Sequence, residues 1–580
     1  MRKLYNKITT SIQTIALLLL VLGCETTDLS VKESPNTLNP TQADVDFFLN
    51  AIQQGLTDFF SGVEGTGFQG MSEFGMEATR MLHASGPSYR ELNAPGNFNR
   101  VWGTAYSTVL ADVRSMTPLA EEAGLFTHIA IGQIIEAYII ITLVDYFGDI
   151  PYSDAIQGSD GNVSPVLDDD ASVYEAANQL LLDAISNLNR EEFSLPVTDL
   201  YYGDGNGVTI EEKWIRLANT LRLKLFLQTR LANESIFGPT ASISEINTLI
   251  AENNLIMDSE DDFIFNYGTS LSAPDSRHPF FEKNYGGNGP SASFIMANYY
   301  MDLMANEYGQ TDPRIRYYFY RQVSDFSDQN VVTNNCSTQN APPHYSTDEL
   351  FCTVPNTNGY NGLWGWDHFR ADGIPPHTPF VTMFGVYPAG GPFDDDSFRN
   401  VAGSTAVNEG LQGAGISPIM MSSYTYFMLA EAAETLGTSG DAAIWLEMGI
   451  RESINTTINF GAPIAAATGT ALIPTSIEID AHVAEIMDRF NGAAGPDRLK
   501  VLVQQYMIAL WCNGIEAYNT YRRTGQPDDM QPAVQLADPG VYLRSNFYPQ
   551  SAADNNSNVP QKAGVSQPVF WDTNPEGFVD

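Results

Sequence analysis

Residues 213 to 231 read KWIRLANTLRLKLFLQTRL, and this stretch indicates the fold class most directly. Its apolar residues recur at the spacing of one helix face, at Trp214, Leu217, Ala218, Leu221 and Leu225. The cationic residues Arg216, Arg222 and Lys224 fall off that face. We therefore predict an amphipathic helix with one packed face and one solvated face.

Further stretches show the same periodicity on both sides of this helix. They are residues 172–188, 423–436, 441–454 and 497–523, and Gly525 followed by Pro527 supplies a stop signal after the last. Short turns of Gly, Ser or Asp join them. Paired helices of this length predict a mainly α fold with solenoid-like or TPR-like helix pairs, although no strict repeat of about 34 residues is visible.

One long apolar stretch, Ile129 to Phe147, raises the question of a membrane span. It contains Gln133, Glu136 and Asp145, each of which would have to be desolvated in hydrocarbon at a cost of kcal/mol. We predict a buried helix of a folded protein in preference to a transmembrane helix.

The middle of the chain has a different composition. Residues 341–400 hold 8 of the 32 prolines, in motifs such as APPH, GIPPHTPF and YPAGGPF. No helix of normal length fits there, because proline removes a backbone donor and blocks the preceding turn. We predict a loop-rich lobe, about residues 255–415, inserted between helical segments. Since function concentrates in such loops, we expect this lobe to face the ligand.

Composition restricts the class of partner. The chain has 580 residues, 69 acidic against 29 basic, with a formal charge of −40 and 43% hydrophobic residues. That much apolar material predicts a folded protein. An anionic surface repels phosphate backbones and anionic lipid headgroups, so nucleic acid and basic docking onto a membrane leaflet are both excluded as partners.

The N-terminus indicates the compartment. Residues 1–24 read MRKLYNKITTSIQTIALLLLVLGC, three cations before a short apolar run that ends in Cys24. The ending VLGC resembles a bacterial lipobox, so we predict a signal peptide at 1–23, acylation of Cys24, a lipidated tether at 24–40 and one domain at 41–580. The alternative, an ordinary signal peptide with an incidental cysteine, lacks a small-x-small cleavage site.

The other cysteines are few. Cys336 and Cys352 could close a disulfide outside the cytoplasm, worth about 3 kcal/mol in the chain-entropy model. Cys512 lies in a helical run and is predicted to be a buried hydrophobic residue.

Catalytic and metal signatures with a proper context are missing from the sequence. It has no HExxH, Walker loop, G-x-S-x-G elbow or CxxC pair. The run Asp394 to Asp396 is interpreted as a solvated turn in preference to a glycosidase pair. Asp160, Asn162 and Asp168 to Asp170 could gather calcium, but capping of the next helix is the preferred interpretation. We predict no catalytic residue, no metal and no cofactor.

A candidate ligand site lies in residues 361–370, NGLWGWDHFR. Sugar binding needs a flat aromatic face against the C–H side of a pyranose, with polar groups for its hydroxyls. Trp364 and Trp366 would point the same way if the stretch were extended, and Asp367 and His368 supply polar groups. Tyr360 is a second-rank member. Packing of the indoles beneath the lobe is an equal alternative, since aromatic residues in loop-rich regions often form local cores.

Five segments together carry a family resemblance. In order they are CETTDLSVKESPN (24–36), DYFGDIPYSDAIQG (145–158), KWIRLANTLRLKL (213–225), AEAAETLG (430–437) and IALWCNGIEAYNTYRRTGQP (508–527). They resemble the SusD/RagB family of nutrient-binding outer-membrane lipoproteins of Bacteroidetes, over essentially the whole chain. The resemblance implies a SusD-like fold with several TPR-like helix pairs.

The resemblance also implies a function and further site residues. Such proteins capture oligosaccharides, or in some members peptides, for a SusC-like TonB-dependent transporter, and they are not enzymes. The stretch before the Trp102 helix would contribute an arginine and an asparagine, for which Arg90 and Asn97 are the candidates, while Trp102 itself is predicted to be core. Glu25 and Asp28 resemble the acidic export signal of that phylum and favour the outward-facing leaflet. A secreted glycoside hydrolase is the alternative from another class.

Overall fold

The computed structural model describes residues 44–580, except for 64–67, 85, 159–160, 192–194, 204–207, 234–235, 273, 287–293, 325–335, 337–338, 371–379, 402–407, 536–541, 576–577 and 579–580. Val45–Asp580 packs together as one unit. The signal peptide, Cys24 and the tether 24–40 lie outside the described residues, so these assignments stay predictions.

Helices dominate the described chain. They are α1 (Val45–Ser61), α2 (Met71–Ala78), α3 (Tyr89–Leu92), α4 (Asn99–Gly103), α5 (Ala111–Ala123), α6 (Phe126–Phe147), α7 (Asp170–Leu188), α8 (Ile210–Gln228), α9 (Pro239–Glu252), α10 (Pro279–Tyr285), α11 (Asn298–Asn306), α12 (Ile315–Tyr318), α13 (Ser422–Leu436), α14 (Ala442–Thr468), α15 (Ser476–Gly492), α16 (Pro496–Ala509), α17 (Gly514–Thr524) and α18 (Gln550–Asn555). A π-helical segment, Thr104–Leu110, joins α4 to α5, and 3₁₀ turns cover Pro95–Phe98, Ser259–Asp261 and Thr470–Leu472.

Neighbouring helices pack as pairs. Helix α6 packs on α7, α8 on α9, α13 on α14, and α15 on α16. Their apolar faces join one continuous core, in which Trp214, Trp511 and Trp571 are among the largest fully buried side chains. The prediction of a mainly α fold with TPR-like helix pairs is confirmed.

The strands are short and paired antiparallel. They are β1 (Gly62–Val63) with β2 (Phe68–Gln69), β3 (Phe263–Asn266) with β6 (Ile416–Met420), and β4 (Phe319–Tyr320) with β5 (Met383–Phe384). The longest pair aligns Phe263 with Met420 and Asn266 with Ile416. It therefore ties the start of the middle lobe to the chain that leaves it.

Helix starts follow the capping residues of the sequence. The Asp169 side chain accepts a hydrogen bond from the Ser172 backbone N–H at 3.3 Å, so the cap of α7 lies one residue before the predicted Asp170. Thr475 and Glu478 close a full capping box at the start of α15. The acidic run therefore caps α7 through Asp169, whereas Asp170, the predicted cap, is the first residue of the helix. Asp160 lies outside the described residues.

Helix α6 is the one described helix that is long and apolar enough to cross a membrane, and 94% of its most apolar window is buried inside the protein. Its polar residues have internal partners: Glu136 accepts a hydrogen bond from Arg114 at 2.6 Å, and Asp145 accepts one from the Trp571 indole at 3.0 Å. The prediction of a buried core helix is confirmed.

The solvated face predicted for residues 213–231 is wrong. Helix α8 is buried on nearly all sides, and the Lys224 side chain is 1% exposed. Its ammonium group lies 2.5 Å from the Glu516 carboxylate on α17. The predicted face is wrong because partners from distant parts of the chain cover the polar side of the helix. Glu516 lies about 300 residues further along the chain, and apolar periodicity does not report contacts over such a separation.

The helix predicted over 497–523 is two helices. Residues 510–513 interrupt it, with Cys512 at a positive φ of 67° and the Asn513 side chain accepting from the Glu516 N–H at 3.1 Å. The break lets Gly514 pass so close to α2 that a Cβ there would lie 2.0 Å from the Ser72 carbonyl oxygen. Cys512 is buried, as predicted.

The middle lobe is held by irregular structure. Within its described part, residues 341–400 contain β5 as regular secondary structure and no α-helix. Cys336 and Cys352 are joined by a disulfide, with their Cα atoms 5.5 Å apart. The ligand-facing role of residues 255–415 stays a prediction.

Candidate functional site

The two tryptophans of the predicted platform are buried in different clusters. Trp364 is 3% exposed and packs with Val323 and Phe380, whereas Trp366 is 7% exposed and belongs to the main core, edge-on to the His83 ring at 4.8 Å. Neither indole presents an open face for stacking on a sugar. The expectation of a shared exposed platform is corrected, and the packing alternative describes both side chains.

Asp367 and His368 are also internal. The Asp367 carboxylate accepts hydrogen bonds from Asn298 and Gln531, both at 2.9 Å, and from the Cys352 backbone N–H at 2.8 Å. The His368 ring lies 3.1 Å from the Tyr89 hydroxyl, and burial lowers its pKa well below the usual value. Both side chains are fully buried and tie the lobe to the helical body.

Tyr360 belongs to a buried ionic network. Its hydroxyl donates to Asp394 at 2.6 Å, and the Arg321 guanidinium lies 3.6 Å from its ring centroid. Asp394 is fully buried and accepts from Arg321 at 2.6 Å. The solvated turn predicted for Asp394 to Asp396 is therefore wrong at Asp394, because cationic and phenolic partners from distant segments enclose it.

Arg90 and Asn97 are exposed. Arg90 donates to the Ala563 carbonyl oxygen at 3.1 Å and lies over the Phe547 ring at 5.5 Å. Asn97 donates to the Leu92 carbonyl oxygen at 2.8 Å, which leaves its side-chain oxygen for other partners. Both remain accessible to a ligand, in contrast to the residues of 360–368.

A cavity of about 510 Å³ lies next to the Asn97 turn, and we call it the Trp102 cavity. Its walls come from three segments: the α4 to α5 region with Trp102, Tyr106 and Ser107, the described parts of the next loop at 151–156 and 163–165, and residues 551–559 with Asn555 and Asn556. None of its described lining residues carries a charge. The volume falls within the roughly 300–1,000 Å³ typical of ligand pockets.

Local structure fixes the walls of the Trp102 cavity. The Trp102 and Tyr106 rings lie 4.7 Å apart, and the Tyr106 hydroxyl donates to the Pro151 carbonyl oxygen at 2.7 Å. Asn99 accepts from the Ser551 N–H at 2.8 Å, and Asn556 donates to the Pro165 carbonyl oxygen at 2.8 Å. These hydrogen bonds hold the three segments together around the cavity.

Sequence reasoning missed most of this site. Trp102 is 9% exposed and part of the core, as predicted, yet it also lines the cavity. Tyr106 and Ser107 lie in the π-helical segment Thr104–Leu110, and such segments are frequent at functional sites. The asparagines of residues 554–558, DNNSN, were the one available signal.

A second cavity of about 470 Å³ is lined by Tyr360, and we call it the Tyr360 cavity. Its walls are residues 309–316, residues 358–360, and residues 471–478 at the turn between α14 and α15. It shares no lining residue with the Trp102 cavity.

The one described carboxylate cluster with metal-like spacing is Asp149, Asp169 and Asp170. Burial raises the pKa of Asp170 to about 6. The same acids face Lys562, and burial lowers the pKa of this lysine to about 8. The Lys562 ammonium group donates to Ser545 at 2.9 Å. A lysine counter-charge and the capping role of Asp169 account for these acids, so the cluster carries no metal assignment.

The fold thus provides a helical scaffold with two separate cavities. Two family models match this chain. The SusD-like model described as starch-binding and associating with the outer membrane matches residues 35–354, and the SusD and RagB outer membrane lipoprotein model matches residues 405–567. The chain belongs to the SusD/RagB family of outer-membrane proteins. No curated protein matches it.

Solved structures agree on the fold. A SusD homologue from Bacteroides fragilis is 20% identical, with 92% of this chain and 100% of that chain covered and a TM-score of 0.62. A SusD homologue from Bacteroides uniformis is 18% identical, with coverages of 91% and 100% and a TM-score of 0.63. A chitin-binding SusD homologue from Flavobacterium johnsoniae is 19% identical, with coverages of 92% and 100% and a TM-score of 0.59. At these identities the likeness shows the fold alone.

Proposed function

We propose that this protein captures a neutral oligosaccharide at the bacterial surface, leaves it chemically unchanged, and passes it to a SusC-like TonB-dependent transporter. The observation that carries the proposal is the Trp102 cavity. It combines aromatic and proline surface with amide and hydroxyl groups and has no charged described lining residue. Apolar surface suits the C–H face of a pyranose, and amides suit its hydroxyls.

Arg90 and Asn97 are proposed to extend this site. Asn97 lies on the 3₁₀ turn Pro95–Phe98, which packs against α18, and α18 supplies the Asn555 wall of the cavity. A sugar chain leaving the cavity on this side would meet the free amide oxygen of Asn97. A structural role replaces the predicted ligand-binding role for five side chains, whose contacts order the lobe: Trp364, Trp366, Asp367, His368 and Tyr360.

The anchor and the partner are part of the same proposal. The lipobox at Cys24 favours one acylated cysteine as the membrane contact, with Glu25 and Asp28 directing the protein outward. We expect Cys24→Ser to abolish fatty-acyl labelling and recovery with the outer membrane. We also expect the intact protein to co-purify with a TonB-dependent transporter from its native membrane. Retention of the Cys24→Ser variant in the outer membrane would contradict the anchor.

A panel of polysaccharides tests the central step. The panel starts with chitin oligosaccharides, because a family member of known structure is described as chitin-binding, and continues with starch, mannan and other neutral polymers. Affinity electrophoresis should show retardation by at least one neutral polymer, and chromatography should show no released product. Product release would support the glycoside hydrolase alternative, and binding of mixed peptides without any glycan would support the peptide alternative.

A further inference from the structure

We propose that the Tyr360 cavity is a second saccharide-binding site, selective for a neutral, hydroxyl-rich ring, so that one chain holds glycan at two places. The inference rests on the proposed glycan function but concerns a separate recess. The two cavities are built from different segments of the chain and have no lining residue in common.

The lining of the Tyr360 cavity combines apolar and hydrogen-bonding residues. Leu472, Ile473 and Pro474, in the turn that leads into α15, supply apolar surface. Gln310, Thr311 and Asn358 supply amide and hydroxyl groups. A pyranose ring has C–H faces and a rim of hydroxyls, so it matches a recess that offers both kinds of surface.

Asn358 is held as an acceptor. Its side-chain amide donates to the carbonyl oxygens of Ala305 and Tyr308, both at 2.9 Å. Both N–H groups are therefore used to fix the loop, and the side-chain oxygen is the group that Asn358 offers to a hydroxyl donor. Since a hydroxyl both donates and accepts, the exposed amide of Gln310 can serve the same ring.

Two of the three charged lining residues, Asp312 and Arg316, have ion-pair partners within the protein. Buried Asp312 binds Arg314 through two hydrogen bonds of 2.9 and 2.6 Å. Burial alone would raise the pKa of Asp312, but Arg314 holds it well below its usual range. Arg316 pairs with Asp396 at 2.9 and 3.1 Å.

The third charged lining residue, Glu478, favours a neutral ligand over an acidic one. Glu478 accepts hydrogen bonds from the Thr475 backbone N–H and hydroxyl, both at 2.8 Å, as part of the capping box of α15. No cation among the described lining residues is left without a carboxylate partner. A uronate or sulfated sugar would therefore meet Glu478 with no counter-charge, whereas a neutral hexose meets only hydrogen-bonding groups.

Two substitutions can fill the recess from its exposed edge. Ala471 is an exposed lining residue in the 3₁₀ turn Thr470–Leu472, and Gln310 is an exposed lining residue of the segment 309–316. Ala471→Trp and Gln310→Trp should each block the Tyr360 cavity without removing a buried contact. Ala467→Trp is the matched control, since Ala467 is equally exposed at the end of α14 but does not line the cavity.

The experiment uses Ser107→Trp as background, because that change blocks the Trp102 cavity. Calorimetric titration with the neutral oligosaccharide that the wild-type protein binds should show two sites in the wild type and one in Ser107→Trp. Adding Ala471→Trp or Gln310→Trp should abolish the residual site, and adding Ala467→Trp should leave it. Thermal unfolding of every variant confirms that the comparison is between folded proteins.

The outcomes separate this inference from the proposed function. If the wild type binds and Ser107→Trp alone abolishes all binding, the second site is wrong while the proposed function stands. Residual binding that survives both Ala471→Trp and Gln310→Trp also overturns the second site. If the residual site takes peptides or uronates in preference to the neutral sugar, its assigned selectivity is wrong. If the wild type binds no neutral saccharide, the proposed function fails and this inference falls with it.

Discussion

Arg523 and Glu431 form a buried bidentate ion pair, with Nε to Oε1 and Nη2 to Oε2 both at 2.7 Å. Arg523 lies in the last turn of α17 and Glu431 lies in α13, so the pair joins two helices through residues that are 92 positions apart in sequence. Burial alone would raise the pKa of Glu431, but Arg523 and Arg230 lower it. Arg523 therefore has a structural role in holding α13 and α17 together.

We expect Arg523→Met to lower the free energy of unfolding by about 3 kcal/mol, because it leaves the Glu431 carboxylate buried without its bidentate partner. Chemical denaturation measures the loss. Arg451→Met is the matched control: Arg451 pairs with Glu447 and Asp480 at an exposed position, and its loss should cost less than about 1 kcal/mol. Equal losses in the two variants would contradict the structural role.

Gly75 and Gly514 allow α2 and α17 to touch. A Cβ on Gly75 would lie 2.0 Å from the Gly514 carbonyl oxygen, a backbone atom that cannot move aside. We expect Gly75→Ala to cost about 3 kcal/mol or more of unfolding free energy. Gly96→Ala, where a Cβ would meet nothing within 4 Å, should stay within about 0.5 kcal/mol of the wild type. A stable Gly75→Ala variant would contradict this helix contact.

The free energy of unfolding should depend on pH through the ionisation of Asp262. Burial raises the pKa of this carboxyl to about 8, although it accepts a hydrogen bond from the Ser422 N–H at 2.6 Å. In the unfolded chain it titrates near 3.9, so between these values the native state holds a proton that the unfolded state has released. The stability that it contributes is full below about pH 4 and is lost as the pH rises towards about 8.

Asp262→Asn removes that dependence while keeping an oxygen acceptor for the Ser422 N–H. We expect its unfolding free energy, relative to the wild type, to rise between about pH 5 and about pH 8. Asp480→Asn, at a side chain that is 64% exposed, is the control and should show a flat difference. A flat difference for Asp262→Asn as well would contradict the buried, protonated carboxyl.

Substitutions of Trp366 distinguish packing of its indole in the core from stacking of the indole on a sugar. Trp366→Ala should cost about 3–5 kcal/mol of unfolding free energy, because the indole fills the main core beside His83. Trp366→Phe should recover much of that stability and bind glycan as the wild type does. If Trp366→Ala keeps its stability but loses glycan binding, the indole is a ligand platform and its assigned packing role is wrong.

Local signals in the sequence predicted some helices closely and others only in part. The helix predicted over 441–454 continues to Thr468 as α14, and the one predicted over 497–523 is interrupted at residues 510–513. Apolar periodicity predicted α7 and α13 to within two residues, and Gly525 ends α17 in the left-handed conformation expected of such a glycine. Periodicity could not report that α8 is covered on its polar side, since Lys224 meets Glu516 only in the folded chain.

The site was harder to predict, because contacts between segments that are distant in sequence also decide its geometry. The motif of Trp364 and Trp366 has the composition of a sugar platform, but its burial depends on residues outside the motif, among them Val323 and the distant His83. The Trp102 cavity needs three segments separated by about 50 and about 400 residues to meet. Arg90 and Asn97 were reached through the family resemblance and remain exposed.

Glycan binding in the Trp102 cavity is the step on which the proposed function depends most. Its most direct test is calorimetric titration of three folded proteins with the best neutral oligosaccharide of the panel: the wild type, Ser107→Trp and Ser186→Trp. Ser107 lines the cavity, and Ser186 is an equally exposed helical serine on α7. We predict that Ser107→Trp loses the high-affinity site while Ser186→Trp binds as the wild type does. Unchanged high-affinity binding in Ser107→Trp would contradict the account.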